Sequence, residues 1–387
     1  MKYGRNQINK AGDILISSSN KEEVNRVIEI INDWRTLHLP ALDELQNAIV
    51  SIFEKERIQV HLVSRRLKRL SSIQNKLDRN PNMKLGGLQD IGGLRIVVSS
   101  MSVLDKALLI LEKNIPKHFE LTKPPMNYVL KPKDSGYRSI HFIYKYQSEN
   151  SDIDGMKVEL QLRTKLQHSW AMAVETAELI TKTALKASQG KAEWLTFFKI
   201  VSSIFALKEG TCILSEHREK NYTRNNLKQQ LLLLNKDNHF VDTLKALNVS
   251  NIHSEKEKHR NGYYLLNMDF VKKTVAIRAF PKDREKEASA LYSESEKNID
   301  DGKNAVVLVS VPQMRKLQEA YPSYFLDTNN FIKTIESEMG NDSNVLDETT
   351  FSKNITVFYP ESNKQYAKYE KEYFDLVEKN IKKMEEL

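Results

Sequence analysis

The sequence predicts an α+β protein: a mixed β-sheet with flanking helices, followed by a smaller α+β unit. Three patterns predict it. Short apolar strand runs alternate with helical periodicities between residues 58 and 180, and a second alternation runs from 263 to 339. Between them lie long helical patterns and a charged, apolar-poor stretch at 251–262 that reads as a linker or exposed turn.

In chain order, residues 20–36 open with Asn20, Glu22 and Glu23, after which Val24, Val27, Ile28 and Ile31 recur at helical spacing. Pro40, at a first-turn position, opens a second helix, ALDELQNAIVSIFEKE. The run IQVHLVS alternates as a strand with Ile58, Val60 and Leu62 on one face. Leu94–Val98 reads as a buried strand behind the pliable GGLQDIGG, and 103–113 as a helix. Strands are expected near 126–131, 139–147 and 156–163, then a helix from about Thr164 and helical patterns over 190–208 and 222–248. The second alternation gives strands near 263–268 and 273–280, a helix near 283–298, the strand NAVVLVSV, and helices near 312–320 and 328–339. The expected domains are 1–185, a helical connector at 186–255, the small unit at 256–345 and a charged C-terminal helix at 346–387. In that last helix Tyr366, Tyr369, Tyr373, Phe374 and Val377 form a stripe suited to packing.

A chain of 387 residues has room for a sizeable core and more than one domain. Its 59 basic against 51 acidic residues leave a net charge of +8, which favours a polyanionic partner such as a nucleotide or RNA. Cys212 is the single cysteine, which excludes an intrachain disulfide and a Cys-rich zinc site. The N-terminus has no apolar signal-peptide core and no apolar run approaches a membrane span, so a cytoplasmic protein without membrane association is expected.

Several constellations bear on chemistry. In SRRLKRLSSIQNKL, Arg65, Arg66, Lys68 and Arg69 end a strand, Ser71 and Ser72 stand where they would cap the next helix, and Lys76 shares a helix side with Ser72. Such a cationic helix start suits a polyphosphate; a solvated basic face is the other reading. In DIGGLRIVV, Asp90 precedes an apolar strand, where a Mg²⁺ bridging it to phosphates would fit. In MKVELQLRTKLQHSW, Glu159 and Gln161 share one strand face and Val158, Leu160 and Leu162 the other, a pattern that alone fits a solvent-facing acid. The turn KPKDSGYRSIHF carries Lys133, flexible Gly136, an exposed-looking Tyr137 and Arg138, and by itself reads as a polar loop or as a nucleotide-binding surface. Together these pieces meet the needs of pyrophosphoryl transfer: cations and a metal for phosphate charge, a base for a hydroxyl proton, and an aromatic face for the acceptor. Walker A and GxGxxG motifs are absent.

Taken in order, R-x-K-x₃-S-x₃-K (Arg66, Lys68, Ser72, Lys76), D-x₄-R (Asp90, Arg95), K-x₂-G-Y-R-S-x-H (Lys133 to His141) and V-E-x-Q-x-R-T (Val158 to Thr164) resemble the RelA/SpoT synthetase domain over roughly residues 55–180. The resemblance implies transfer of the β,γ-pyrophosphate of ATP to a ribose 3′-hydroxyl. It implies ATP binding by Arg66, Lys68, Ser72, Lys76 and Arg95, and Mg²⁺ at Asp90 with Glu159 as a further ligand or as base. Lys133, Gly136, Arg138 and Gln161 would face the acceptor, Tyr137 would stack on its base, and His141 would lie near its phosphates or the transferred group. No His-Asp hydrolase segment is expected ahead of the domain. In AVETAE, Thr176 follows Glu175 where many alarmone-making members have Glu-His, which points away from free GDP or GTP as acceptor.

EASALYSESEK, VVLVSV and AYPSYFLDTNNFI look like the C-terminal antitoxin domain of CapRel-type fused toxin–antitoxins, a pseudo-zinc-finger that the single cysteine fits in a zinc-free version. That resemblance implies a toxin that pyrophosphorylates the 3′ CCA end of tRNA, restrained by its C-terminal domain until a phage capsid protein engages it. Tyr321, Tyr324 and Phe325 are then candidates for the regulatory contact or the trigger site, or else for the small unit's own core. The alternative is a (p)ppGpp synthetase acting on GDP or GTP under C-terminal control. Against a third reading, a catalytically dead scaffold, stands the intact set Lys68, Asp90, Tyr137 and Glu159.

Overall fold

The computed structural model describes residues 2–181, 185–188, 190–246, 251–254, 262–269, 272, 274–296, 299, 304–310 and 328–340. The expected helices at 312–320 and 346–387 lie outside these residues, as do Tyr321, Tyr324 and Phe325. The chain divides into two compact units, Met1–Glu336 and Ser337–Leu387; the sheet and the cleft belong to the first.

Three helices open the chain: α1 (Arg5–Ser17), α2 (Lys21–Thr36) and α3 (Leu39–Lys55). The first is an addition to the expected elements. The Asn20 side chain caps α2, accepting from the Glu22 N–H at 3.0 Å, and Pro40 stands in the first turn of α3. Next come β1 (Val60–Leu67), α4 (Leu70–Arg79), β2 (Gly92–Val98), α5 (Met101–Lys113), β3 (Phe119–Leu121), β4 (Met126–Asn127), β5 (Ile140–Tyr146), β6 (Lys157–Thr164) and α6 (Lys165–Thr181). A helical stretch follows with α7 (Ala192–Lys208), α8 (Ser215–Glu219), α9 (Arg224–Asn238) and α10 (Phe240–Ala246). Last are β7 (Asn251–Ser254), β8 (Tyr263–Asp269), β9 (Thr274–Phe280), α11 (Glu285–Glu296), β10 (Asn304–Ser310) and α12 (Asn329–Gly340).

The ten strands form one mixed sheet in the order β3-β5-β6-β2-β1-β10-β8-β9-β7, with β4 paired to β5. The pairs β2/β6 and β7/β9 are parallel and the others antiparallel. Central β2 has one covered apolar face, and its other face carries Arg95 towards the cleft as well as the buried Val97. Leu94, Ile96 and Val98 pack with Leu42 and Leu104 in the main core, while Val97 joins Leu62, Tyr264 and Val307 on the other side.

The structure departs from the sequence expectations elsewhere too, and the strand expected near 126–131 is only Met126–Asn127. A β-bulge between Val60 and Leu62 sends Leu62 to the opposite face from Ile58 and Val60, so the simple alternation fails there. The helical pattern over 222–248 breaks at His239, whose left-handed backbone (φ 52°) ends α9; histidine is among the residues that tolerate this region. Residues 251–254 of the expected linker form a strand beside β9. The expected small unit has no sheet of its own: β10 pairs with β1 at Arg65↔Ser310 and Arg66↔Val309, and Tyr263, Leu265 and Leu308 share the main core. Finally, neither Ser71 nor Ser72 caps α4. Arg69 is its N-cap without a side-chain bond, and the Leu70 N–H donates to Glu296 Oε1 at 3.2 Å. That carboxylate arrives from α11, where a local capping rule cannot see it. Arg35, itself buried, holds it by an ion pair at 2.6 Å.

Helix α7 buttresses the loop ahead of β5. Ser202 Oγ donates to Gly136 O at 2.6 Å, and Trp170 Nε1 donates to Phe198 O at 2.9 Å. Gly136 has φ +92°, and a Cβ there would lie 2.9 Å from Ser202 Cβ. Gly136→Ala should therefore cost about 1–3 kcal/mol, combining left-handed strain with overpacking, read as a lower urea midpoint. Gly87→Ala, where a Cβ meets nothing within 4 Å, should stay near the parent.

Candidate active site

A cleft of about 1630 Å³ lies across β5, β6, β2, β1 and β10 of the sheet. β1 and α4 supply Arg66, Lys68, Ser72 and Lys76; Asp90 and Arg95 come from the entry to β2 and its middle; Tyr137, His141, Glu159 and Gln161 come from the β5 turn, β5 and β6. Thus the four sequence motifs converge. Glu159, read alone as a solvent-facing acid, is only 9 % exposed and points into this cleft.

Asp90 is the meeting point of the two lysines. Lys68 Nζ and Lys76 Nζ each donate to Asp90 Oδ2 at 3.0 Å. Burial alone would raise this carboxyl, but the two ammonium charges outweigh it and hold it well below the usual range. Burial acts the other way on Lys68, lowering it despite Asp90. Oδ1 of Asp90 is buried and has no hydrogen-bond partner among the described residues. An orphaned carboxylate oxygen near a second carboxylate, Glu159, is a donor set that fits a divalent cation. Among the described residues no three acidic, His or Cys side chains converge on a metal position. Two carboxylates completed by phosphate oxygens is the way Mg²⁺ is commonly held.

Around Glu159 the side chains close a ring of hydrogen bonds. His141 Nδ1 lies 2.8 Å from Glu159 Oε1, and His141 Nε2 lies 2.7 Å from the Tyr137 hydroxyl. Arg163 Nη2 donates to that hydroxyl and, at 2.7 Å, to Gln161 Oε1; Gln161 Nε2 donates to Glu159 Oε2 at 2.7 Å. Arg163 only donates, so the Tyr137 hydroxyl oxygen accepts from it. Burial pushes the Glu159 carboxyl up, yet His141 and Gln161 bring it below its ordinary value. Burial likewise raises Tyr137, against the pull of Arg163, so its hydroxyl stays protonated.

Two expectations about the turn are corrected. Tyr137 is not exposed: 6 % of it is accessible, its hydroxyl is committed to the ring, and Trp170 and His141 stand edge-on to it at 6.5 and 5.6 Å. Arg138 does not face an acceptor; it is buried, donating to Ser202 Oγ at 3.0 Å and Val129 O at 3.2 Å, because the positive-φ Gly136 turns the chain between them. Gly136 is likewise buried, and its part is to shape the turn. Lys133 is exposed and stays at the cleft, its Nζ 4.6 Å from the Tyr128 ring centroid.

Arg163, Tyr128, Glu175 and Lys186 also line the cleft, beyond the expected site residues. Arg163 shares a strand face with Glu159 and Gln161, so the period of two that singled those out also marks it. Tyr128 carries no local signal. Glu175 was noted only for its neighbour, yet it pairs with Lys186 and lies 3.9 Å from Arg66. Lys186 comes from outside the motifs; burial lowers it to about 8 in spite of Glu175.

Because Asp90 titrates below its ordinary 3.8 when folded, it binds fewer protons folded than unfolded in acid. The stability it contributes is therefore full above about pH 4 and is lost as pH falls below that. Asp90→Asn should lower the unfolding free energy at neutral pH by roughly 1–3 kcal/mol and flatten its acid decline. Urea titrations across a pH series measure both, and an acid limb as steep as the parent's would contradict the assignment.

Comparison with known proteins agrees with the motif order. Residues 65–184 match the family model described as the region found in RelA / SpoT proteins. The chain is 33% identical over 139 residues to the probable GTP diphosphokinase RSH2, chloroplastic, of Oryza sativa subsp. japonica, which covers 36% of this chain and 17% of that protein. It is 28% identical over 151 residues to the GTP pyrophosphokinase YjbM of Bacillus subtilis, covering 36% and 69% respectively. The chain therefore spans less than a fifth of the first relative and about two thirds of the second. Among solved structures, the small alarmone synthetase 1 from Bacillus subtilis bound to its product pppGpp is similar at 22% identity with a TM-score of 0.39, covering 47% of this chain and 93% of that one.

Proposed function

We propose that this protein is a pyrophosphokinase that transfers the β,γ-pyrophosphate of ATP to a ribose 3′-hydroxyl. The observation that supports this best is the cross-braced Asp90 facing Glu159 across one cleft. In the transfer the bond between the α- and β-phosphates of ATP breaks, AMP leaves, and the 3′-oxygen forms the new bond as its proton departs. Lys68 and Lys76 offer charge to the transferred phosphates, while Arg66 and Arg95 line the ATP side and Ser72 offers a hydroxyl from α4. Asp90 and Glu159 are the residues that would hold Mg²⁺, which when bound supplies further charge neutralisation on the phosphates. Glu159, ionised at neutral pH, is the acceptor for the 3′-hydroxyl proton. A carboxylate held this low is a weak base, so it orients that hydroxyl more than it drives the proton transfer.

For the acceptor we favour the 3′ CCA end of tRNA. The net charge of +8 supports a polyanion, and the cleft of about 1630 Å³ exceeds an ordinary small-molecule site of about 300–1000 Å³. Thr176 supports it too: fully buried, it donates to Met172 O at 3.1 Å and so presents nothing to a free guanine nucleotide. Free GDP or GTP is the second reading, favoured by the names of the relatives. Incubation with γ-labelled ATP and either tRNA or GDP separates them, and Asp90→Asn and Glu159→Gln should each reduce transfer by about a hundredfold or more. Label on GDP and never on tRNA would remove the tRNA reading.

We further propose that the C-terminal half restrains the site, as a toxin–antitoxin fusion released by a phage capsid protein in the cytoplasm would require. Glu296 and Val306 line the cleft, and the Glu296 carboxylate takes the first N–H of α4, where a phosphate of ATP would compete for it. Glu296→Gln should lower the KM for ATP severalfold in steady-state assays. An unchanged or higher KM would sink restraint through this residue. Among the described residues no helix is long and apolar enough to cross a membrane.

A further inference from the structure

We propose that Lys186 is a positioning residue for ATP: it holds Glu175 so that Arg66 stays available to the nucleotide. The proposal rests on the pyrophosphokinase reading, in which Arg66 lines the ATP side, and it adds a residue from outside the four sequence motifs. Lys186 lies in a short turn, Leu185–Ala187, that follows α6. Its place is fixed twice over, because Leu185 is buried and the Lys186 N–H donates to Glu178 Oε1 at 2.7 Å. From there the ammonium reaches Glu175 Oε1 at 2.5 Å, with 24 % and 16 % of the two side chains exposed.

The same oxygen faces a second cation. Arg66 Nη2 is 3.9 Å from Glu175 Oε1, beyond hydrogen-bond distance, whereas Lys186 Nζ donates to it directly. Burial would raise Glu175, but Lys186, Arg66 and Arg95 hold it well below its ordinary value, so it stays ionised. A carboxylate so withdrawn from water is costly to leave unpaired. Without the lysine charge, the Arg66 guanidinium beside it would close onto Glu175, and ATP would have to break that pair in order to bind. Lys186 is faced by Glu175 and Glu178 of α6 and by Arg163 of β6, with Arg66 of β1 and Arg95 of β2 behind Glu175. Burial lowers it to about 8. Below that pH the ammonium is charged and holds Glu175. As pH rises through that value the ammonium is lost, Glu175 passes to Arg66, and ATP binding weakens.

The test titrates a non-hydrolysable ATP analogue by calorimetry into the full-length parent, Lys186→Met, Lys186→Arg and the double variant Glu175→Gln/Lys186→Met. Label transfer from γ-labelled ATP to tRNA and to GDP is followed alongside. At about pH 7, Lys186→Met should weaken analogue binding about tenfold. The double variant, which also removes the carboxylate that captures Arg66, should recover most of that loss. A lysine with a merely structural role predicts no such recovery, since a second buried partner has been removed. Between about pH 7 and pH 9 the parent's Kd should rise severalfold, and the rise should be shallower in Lys186→Arg, whose guanidinium stays charged. Lys68, which burial also lowers, titrates in both proteins alike. Where Lys186→Met folds poorly, the pH comparison of parent with Lys186→Arg carries the test alone. An unchanged Kd in Lys186→Met, a double variant no better than the single one, or equal alkaline rises in parent and Lys186→Arg overturns the proposal while transfer by the parent stands. A parent that binds no ATP analogue, or that transfers label to neither acceptor, overturns the pyrophosphokinase reading, and the positioning role with it.

Discussion

The parallel pairing of β2 with β6 is the constraint on which the rest of the site depends. It aligns Gly92 with Val158 and Gly93 with Glu159. Because the two strands run the same way, the chain entering β2 and the start of β6 share one end of the sheet. Asp90, just ahead of β2, is thereby brought to Glu159 across 69 residues of sequence. An antiparallel register would carry Glu159 towards the far end of β2, on the order of 15 Å away. The residue opposite Glu159 is a glycine, and a Cβ there would meet only the Arg66 carbonyl at 3.8 Å. The cleft floor is therefore low where the two carboxylates approach.

Charge compensation is local for the carboxylates of the cleft, and a gap at Asp90 is informative. Glu159 is satisfied on both oxygens by different donors, and Glu175 by Lys186 with Arg66 nearby. An uncompensated buried carboxylate would otherwise be costly. Asp90 is different. Both lysines converge on Oδ2, and Oδ1 is left without a hydrogen bond among the described residues. The site thus keeps acceptor capacity at Asp90 Oδ1, while the closed ring around Glu159 fixes geometry. One carboxylate is left open to a ligand and the other is oriented.

Much of this was legible in the sequence because strand period and motif order are local properties. The alternation that put Glu159 and Gln161 on one face also carries Arg163, and Asn20 and Pro40 mark helix starts that the backbone adopts. What escaped is tertiary. No local rule supplies Glu296 as the cap of α4, or Ser202 and Trp170 as the walls that turn the Gly136–Tyr137 segment inward. Tyr137 reads as exposed beside Asp134 and Arg138, yet Trp170 of α6 stands against its ring and Ser202 of α7 holds the carbonyl of the preceding Gly136. The bulge at Val60–Leu62 is similarly invisible, since the apolar spacing is unchanged and only the partner strand reveals the extra residue.

The seam between β1 and β10 ties these observations to the proposed restraint. β10 pairs with the backbone of Arg65 and Arg66, and α11 reaches the first N–H of α4 at Leu70. Lys68 lies between these two points of attachment, so the C-terminal elements hold both ends of the short segment that carries it. A two-pair seam is weak as a β-ladder, but it is backed by an apolar core that includes Tyr292 and Leu308. Displacing that core would move Arg66, Lys68 and the start of α4 together. The restraint proposed above would then act on the geometry of Arg66, Lys68 and the start of α4 together.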